Sequence, residues 1–76
     1  MPKLVIEYCV VWNYYPRAAS LAERIKKNIN IDIELKKSDG GRFEIYLDDK
    51  IVFSKYREYR FPAEGEVEKI LKERIG

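Results

Sequence analysis

Histidine, glutamine and threonine are absent from this sequence of 76 residues, and cysteine occurs once. A lone cysteine cannot form an internal disulfide. Without histidine, and with a single thiol, the chain also lacks the set of soft ligands that holds zinc or haem. We therefore expect neither a metal site nor any other cofactor.

An excess of charge of one sign is lacking as well. The chain carries 15 lysines and arginines against 13 aspartates and glutamates, a net charge of +2. No strong electrostatic field therefore draws it to nucleic acids. Charged residues still make up 37% of the chain, and many lie in mixed-sign helical runs, a composition that leans towards thermophilic proteins.

Long hydrophobic runs are missing too. No apolar run approaches the roughly 20 residues that span a bilayer, and the amino terminus has only six residues before the charged Glu7, with no signal-peptide apolar segment. We expect a cytoplasmic protein with no membrane partner, in a reducing compartment that keeps its thiol free. The length accommodates one domain, residues 1–76, with a small core.

Apolar spacing predicts a first strand and a helix. Residues 4–8 are apolar on both faces apart from Glu7, which is typical of a central strand. Asn13 is the predicted N-cap of the following helix, with Pro16 at its third position. The buried face of that helix recurs at three- and four-residue spacing and comprises Ala18, Leu21, Ala22, Ile25 and Ile29.

The second half of the chain predicts three more strands and a last helix. Residues 31–35 alternate between apolar and charged side chains, as in an outer strand. Residues 43–47 and 51–54, joined by residues 48–50, predict a β-hairpin with Asp48 and Asp49 as turn formers. The last helix carries Glu64, Glu66 and Glu68 near its start and a predicted buried stripe of Val67, Ile70, Leu71 and Ile75.

These elements predict a two-layer α+β fold with the order βαβββα. The βαβ unit and the hairpin together give a four-stranded mixed sheet of strand order 2-1-3-4, which keeps the apolar first strand internal. Both helices are expected on one face of the sheet. This arrangement is a reduced thioredoxin-like fold.

The segment from Tyr8 to Pro16 is the candidate site, because it leaves the predicted central strand and feeds the helix. It contains the only cysteine, Cys9, whose thiol could form a mixed disulfide with glutathione or a protein thiol. A thiolate needs a nearby cation or helix start, and Arg17 is the nearest candidate cation. The alternative is that Cys9 is a small apolar residue buried at the strand end.

Three aromatic residues of the same segment predict a binding surface. Trp12, Tyr14 and Tyr15 would form an exposed patch for a protein partner or for a second copy of the chain. The alternative is that they pack over the start of the helix.

Residues 55–60 interleave cations with tyrosines, a combination that can stack bases and neutralise phosphates. The alternative is a solvated extension of the preceding strand. Glu58 and the small net charge favour this second interpretation, so we do not expect a nucleic-acid partner.

Several pieces of the chain at matching spacing resemble the Rdx family of small thioredoxin-like proteins, which includes selenoprotein W. The matching pieces are Val5-Ile6-Glu7-Tyr8-Cys9, residues 13–15 with 17–19, Gly40-Gly41-x-Phe43-Glu44-Ile45, Ser54-Lys55 and Phe61-Pro62. The first resembles the family's strand running into its first redox cysteine. The resemblance covers nearly the whole chain and implies a thiol-redox role.

The departure from the family pattern lies at Trp12. Family members carry Cys-x-x-Cys or Cys-x-x-selenocysteine, whereas this chain reads Cys9-Val10-Val11-Trp12. Intramolecular dithiol exchange therefore cannot run, because no second thiol exists to resolve a mixed disulfide. Two hypotheses remain: a single-cysteine redox role at Cys9, or a redox-inactive protein that binds a partner or its own copy through Trp12, Tyr14 and Tyr15.

Overall fold

The computed structural model of the protein describes residues 2–63 and 65–75, so the predicted helix-start residue Glu64 lies outside the described residues. In chain order the elements are β1 (Lys3–Cys9), α1 (Tyr15–Asn28), β2 (Asp32–Ser38), β3 (Phe43–Leu47), β4 (Lys50–Ser54), α2 (Lys55–Glu58) and α3 (Glu66–Ile75). The predicted order is confirmed, with one addition. The short helix α2 replaces the predicted strand extension, because Ser54 caps it by accepting a hydrogen bond from the Arg57 N–H.

The four strands form one sheet of order β2-β1-β3-β4, which confirms the predicted order 2-1-3-4. Strand β1 is parallel to β2 and antiparallel to β3. It is central because Leu4, Ile6 and Tyr8 are buried on one of its faces while the other face is half-buried. Strand β2 lies at the sheet edge, and charged side chains alternate there with partly buried Ile33 and Leu35.

The core lies between one face of this sheet and the helices. Its helical members are Ala18, Leu21 and Ile25 of α1 and Val67 and Leu71 of α3. Both long helices therefore cover the same face, as predicted.

The buried stripe predicted for the last helix is one residue too long. Ile75 is exposed, although its spacing from the buried Leu71 would place both on one face of α3. It is the last residue of α3, and a terminal turn has no following turn to cover its side chains.

The start of α1 also differs from the prediction. Tyr14 is the N-cap, and Pro16 occupies the second helical position and not the third. Asn13 instead adopts a left-handed backbone with φ of 57° and donates its N–H to the Val10 carbonyl at 3.0 Å. Asparagine tolerates that conformation well, so it closes the preceding loop and the helix begins one residue later.

The hairpin turn is formed by Asp48 and Asp49, whose φ angles of 49° and 69° are those of a two-residue type I′ turn. Asp48 also accepts a hydrogen bond from the Lys3 N–H at 3.0 Å. The prediction that both aspartates are turn formers is confirmed. Lys50 belongs to β4 and not to the turn.

A charged contact fixes the segment between α2 and α3. The guanidinium of Arg60 donates to both carboxylate oxygens of Glu66, at 2.7 and 2.9 Å. The same carboxylate accepts the Ala63 N–H at 2.9 Å. These contacts lower the pKa of Glu66 to about 2, with the Arg60 contact as the larger cause.

We expect replacement Glu66→Gln to remove a pH-dependent part of the stability. An unfolded glutamate has a pKa of about 4.3, whereas the pKa of Glu66 in the folded protein is about 2. The ionised carboxylate therefore stabilises the folded protein at pH values above about 4.3. This stabilisation is lost as the pH falls from about 5 to about 2. Urea unfolding should therefore show a lower free energy of unfolding for the variant at pH 7 and a shrinking difference in acid.

The matched control is Glu73→Gln, because Glu73 is an exposed glutamate of the same helix. Its difference from the parent protein should stay nearly constant with pH. A Glu66→Gln difference that is equally constant would contradict the assignment.

Candidate functional site

The loop between β1 and α1, residues 10–14, has a backbone held at both ends. Four hydrogen bonds between backbone atoms fix it: Cys9 N–H to the Arg42 carbonyl at 2.8 Å, Val10 N–H to the Ser38 carbonyl at 3.1 Å, Asn13 N–H to the Val10 carbonyl at 3.0 Å and Tyr14 N–H to the Cys9 carbonyl at 3.0 Å. Two of them join the loop to residues at the start and end of the β2–β3 connection. The candidate site is therefore built from two neighbouring loops at one end of the sheet.

Cys9 is the last residue of β1, and its side chain is completely buried, with 0% of its surface exposed. Its Sγ accepts a hydrogen bond from the Trp12 N–H at 3.3 Å. The mixed-disulfide hypothesis requires a sulfur that reagents can reach, and in this conformation the sulfur is covered. Of the two interpretations of Cys9 from the sequence, the geometry favours the buried apolar residue.

Most side chains between Val10 and Tyr15, in contrast, are exposed. Val11, Trp12 and Tyr15 have 79%, 62% and 52% of their surface exposed, and Val10 is also exposed. We call these four residues the apolar loop patch. The sequence predicted Trp12 and Tyr15 but missed the two valines. The sequence contained a signal for them, because two apolar residues stand together after the end of a strand and before the start of a helix.

Tyr14, the third aromatic residue predicted for the patch, points inward. Its ring meets Phe43 and Phe61 edge-on, with centroid distances of 6.4 and 4.9 Å. Phe43 and Phe61 are themselves 5.2 Å apart. We call Tyr14, Phe43 and Phe61 the aromatic cluster. Trp12 lies 6.1 Å from Tyr14, so the cluster joins the patch to the core.

Arg17, the cation that the sequence suggested for the thiol, contacts an aromatic ring. Its guanidinium carbon lies 4.1 Å from the centroid of the Phe61 ring, a cation–π contact. The polar contact described for the Cys9 sulfur comes from Trp12. The helix places Arg17 on the face that packs near residues 61–62.

Trp12 is braced by the second loop. Gly41 has a φ of 73°. A Cβ atom at this position would stand 3.5 Å from the Trp12 indole ring, so the ring packs directly against the Gly41 backbone. Tyr56 of α2 donates its hydroxyl to the carbonyl of the adjacent Gly40. Trp12 is therefore supported by a loop that a hydrogen bond from α2 holds in place.

Most cations and rings of residues 55–60 already have partners within the protein. Tyr56 bonds Gly40, Arg60 bonds Glu66, and Lys55 lies 5.6 Å from the Phe61 centroid. Tyr59 is exposed. These contacts favour a structural role for the segment, and the absence of a nucleic-acid partner stays a prediction.

Two further findings concern residues 2–63 and 65–75. No helix in these ranges combines the length and the apolar character needed to cross a membrane. No three histidine, cysteine, aspartate or glutamate residues there come together as a group that could hold a metal ion.

Comparison with known proteins identifies the fold. The family model described as the Rdx family matches residues 3–73. The crystal structure of a selenoprotein W-related protein from Vibrio cholerae matches with a TM-score of 0.86 and 24% identity, covering 99% of this chain and 98% of that one. A crystal structure from Bordetella parapertussis matches with a TM-score of 0.89 and 20% identity, covering 96% of each chain. No curated protein sequence matches. The thioredoxin-like fold predicted from the sequence is confirmed.

Proposed function

The chain belongs to the Rdx family, and from that premise we propose that it is a member that binds a protein partner through the apolar loop patch. Membership suggests a redox-related role of the thioredoxin-like type. Dithiol exchange needs two thiols, and this chain has one. One observation carries the proposal: Cys9 has no exposed surface, while Trp12, three residues later, has 62% of its surface exposed.

The patch has the properties of a binding hot spot. Tryptophan and tyrosine dominate such sites because they bury a large area at a low cost in side-chain entropy. The loop backbone is fixed by hydrogen bonds at both ends, and Trp12 rests on Gly41. A surface that is already ordered loses little conformational entropy on binding.

One charge near the patch indicates the chemistry of the partner. The Lys55 ammonium lies 5.8 Å from the centroid of the Tyr14 ring, and the Tyr14 ring lies 6.1 Å from the Trp12 ring. A partner that offers an apolar side chain next to a carboxylate fits this arrangement. A second copy would bring one Lys55 ammonium close to the other, so we favour a different protein over a homodimer.

Replacement Trp12→Ala should weaken binding by about 30-fold, because removal of a hot-spot tryptophan costs about 2 kcal/mol or more. Peptides selected from a random displayed library against the parent protein provide the ligands, and titration calorimetry gives the affinities. We expect the selected peptides to combine an aromatic or aliphatic residue with aspartate or glutamate.

The matched control is Tyr59→Asn, which removes an exposed ring outside the patch and leaves a residue that tolerates the left-handed backbone at position 59. Its affinity should equal that of the parent. Peptides that bind Trp12→Ala and the parent equally well would contradict the proposal.

The hydrogen bond from Trp12 N–H to the Cys9 sulfur supports a second candidate, a single-thiol redox function. After the loop opens, the deprotonated Cys9 sulfur would attack one sulfur of oxidised glutathione or of a partner disulfide. The S–S bond breaks, a mixed disulfide forms at Cys9, and the other half leaves as a thiolate. An external thiol would then release the product.

Replacement Cys9→Ser separates the two candidates. The serine hydroxyl can accept the Trp12 N–H, so the loop should keep its shape. Under the binding proposal the variant retains peptide affinity, whereas under the redox candidate it loses the capture of a mixed disulfide that the parent forms with oxidised glutathione.

A further inference from the structure

A cleft of about 350 Å³ opens between α1 and the segment around residues 61–62. One face of α1 lines it with Arg17, Ser20 and Arg24, which follow one another at three- and four-residue spacing. Phe43 and Phe61 line the opposite side. The cleft is separate from the apolar loop patch, since none of the four patch residues lines it.

The cleft carries positive charge that its own lining does not balance. Its two charged residues are Arg17 and Arg24, and no acidic side chain is among the described residues that line it. The Nε atom of Arg24 is buried and has no hydrogen-bond partner among residues 2–63 and 65–75. A buried donor without an acceptor is costly, so an anion held near the Arg24 guanidinium would be stabilising.

We propose that this cleft binds a small anion with a flat apolar body, through a carboxylate or phosphate group held by Arg17 and Arg24. The guanidinium fork matches the geometry of both groups and can donate two parallel hydrogen bonds to either. The Ser20 hydroxyl adds a third donor. The apolar body of the ligand packs against the exposed part of Phe61, and the cleft volume lies in the range of small-molecule sites.

The first test is a set of NMR titrations of the full chain with matched probes. Phenylacetate and phenyl phosphate carry the two candidate head groups, benzyl alcohol keeps the ring without charge, and inorganic phosphate keeps the charge without the ring. We expect saturable shifts of amide signals in residues 17–24 and 61–62 with the two charged aromatic probes. Benzyl alcohol, which lacks the charge, and inorganic phosphate, which lacks the ring, should each bind at least about tenfold more weakly. The tighter of the two charged probes identifies the head group.

The second test removes charge inside and outside the cleft. Arg24→Gln should weaken the better aromatic anion about tenfold or more, because a charge-assisted hydrogen bond is lost. Lys26→Gln removes the same charge from an exposed position of α1 that does not line the cleft and should leave the affinity unchanged. The amide spectra of both variants verify that each is folded.

Three results would overturn the inference. They are equal losses in Arg24→Gln and Lys26→Gln, equal binding of benzyl alcohol and the anions, and no saturable shift with either charged aromatic probe. Because the apolar loop patch is not involved, failure here leaves the Trp12→Ala result unaffected.

Discussion

Iodoacetamide will alkylate Cys9 in the folded protein at least about 100-fold more slowly than in the denatured chain at the same pH. The sulfur has no exposed surface, and the Trp12 N–H is bonded to it. The reagent must therefore wait until residues 10–14 open. A local opening that costs about 3 kcal/mol exposes the thiol for about one hundredth of the time.

Mass spectrometry of timed samples, with and without guanidinium chloride, measures this ratio. A matched reference is Val11→Cys in the Cys9→Ser background, which moves the thiol to a position with 79% of its surface exposed. That thiol should react near the denatured rate. If native Cys9 reacts as fast as the reference, the thiol is reachable and the single-thiol redox candidate replaces the binding proposal.

Replacement Phe43→Ala should lower the free energy of unfolding by about 3–5 kcal/mol, the usual cost of truncating a buried phenylalanine. Phe43 is buried at the start of β3 and pairs in register with Tyr8 of β1. Its ring also contacts Tyr14 and Phe61. The cavity would therefore open beneath the first residues of α1. A chain of this size has a free energy of unfolding of about 5 kcal/mol, so a large fraction of the variant should be unfolded.

Urea unfolding followed by circular dichroism tests this expectation. Phe43→Leu keeps most of the apolar volume, should lose only about 1 kcal/mol, and stays measurable if the alanine variant does not fold. Val11→Ala, at an exposed position, should stay within about 0.5 kcal/mol of the parent. A Phe43→Ala loss no larger than that of Val11→Ala would mean that the aromatic cluster does not support the fold.

The order of the elements could be predicted from the sequence because each depends on local periodicity. The alternation in residues 31–35 and the apolar run at residues 4–8 placed β2 at the edge and β1 in the centre. The start of α1 could not be predicted in the same way. Asparagine is the better N-cap by preference, but the Tyr14 ring packs against Phe43 and Phe61, and those contacts come from distant parts of the chain.

The burial of Cys9 could not be predicted for a related reason. The Cys9 sulfur is bonded to the Trp12 amide, and the Cys9 backbone is bonded to Arg42. Local sequence periodicity does not place either residue next to Cys9. The cleft was missed as well. Arg17 and Arg24 are visibly on one face of a helix, but its opposite wall comes from residues 61–62, whose position follows from the contact between Arg60 and Glu66.

The outer edge of β2 limits where other chains can attach. An edge strand offers unpaired backbone groups that invite strand-by-strand polymerisation. Asp32, Glu34 and Lys36 lie at every second position of this strand, so their exposed side chains share one face of the sheet beside the edge. The Glu34 carboxylate lies 2.7 Å from the Lys3 ammonium. Another chain that paired with β2 would have to remove water from these charges, so association through this edge should be disfavoured.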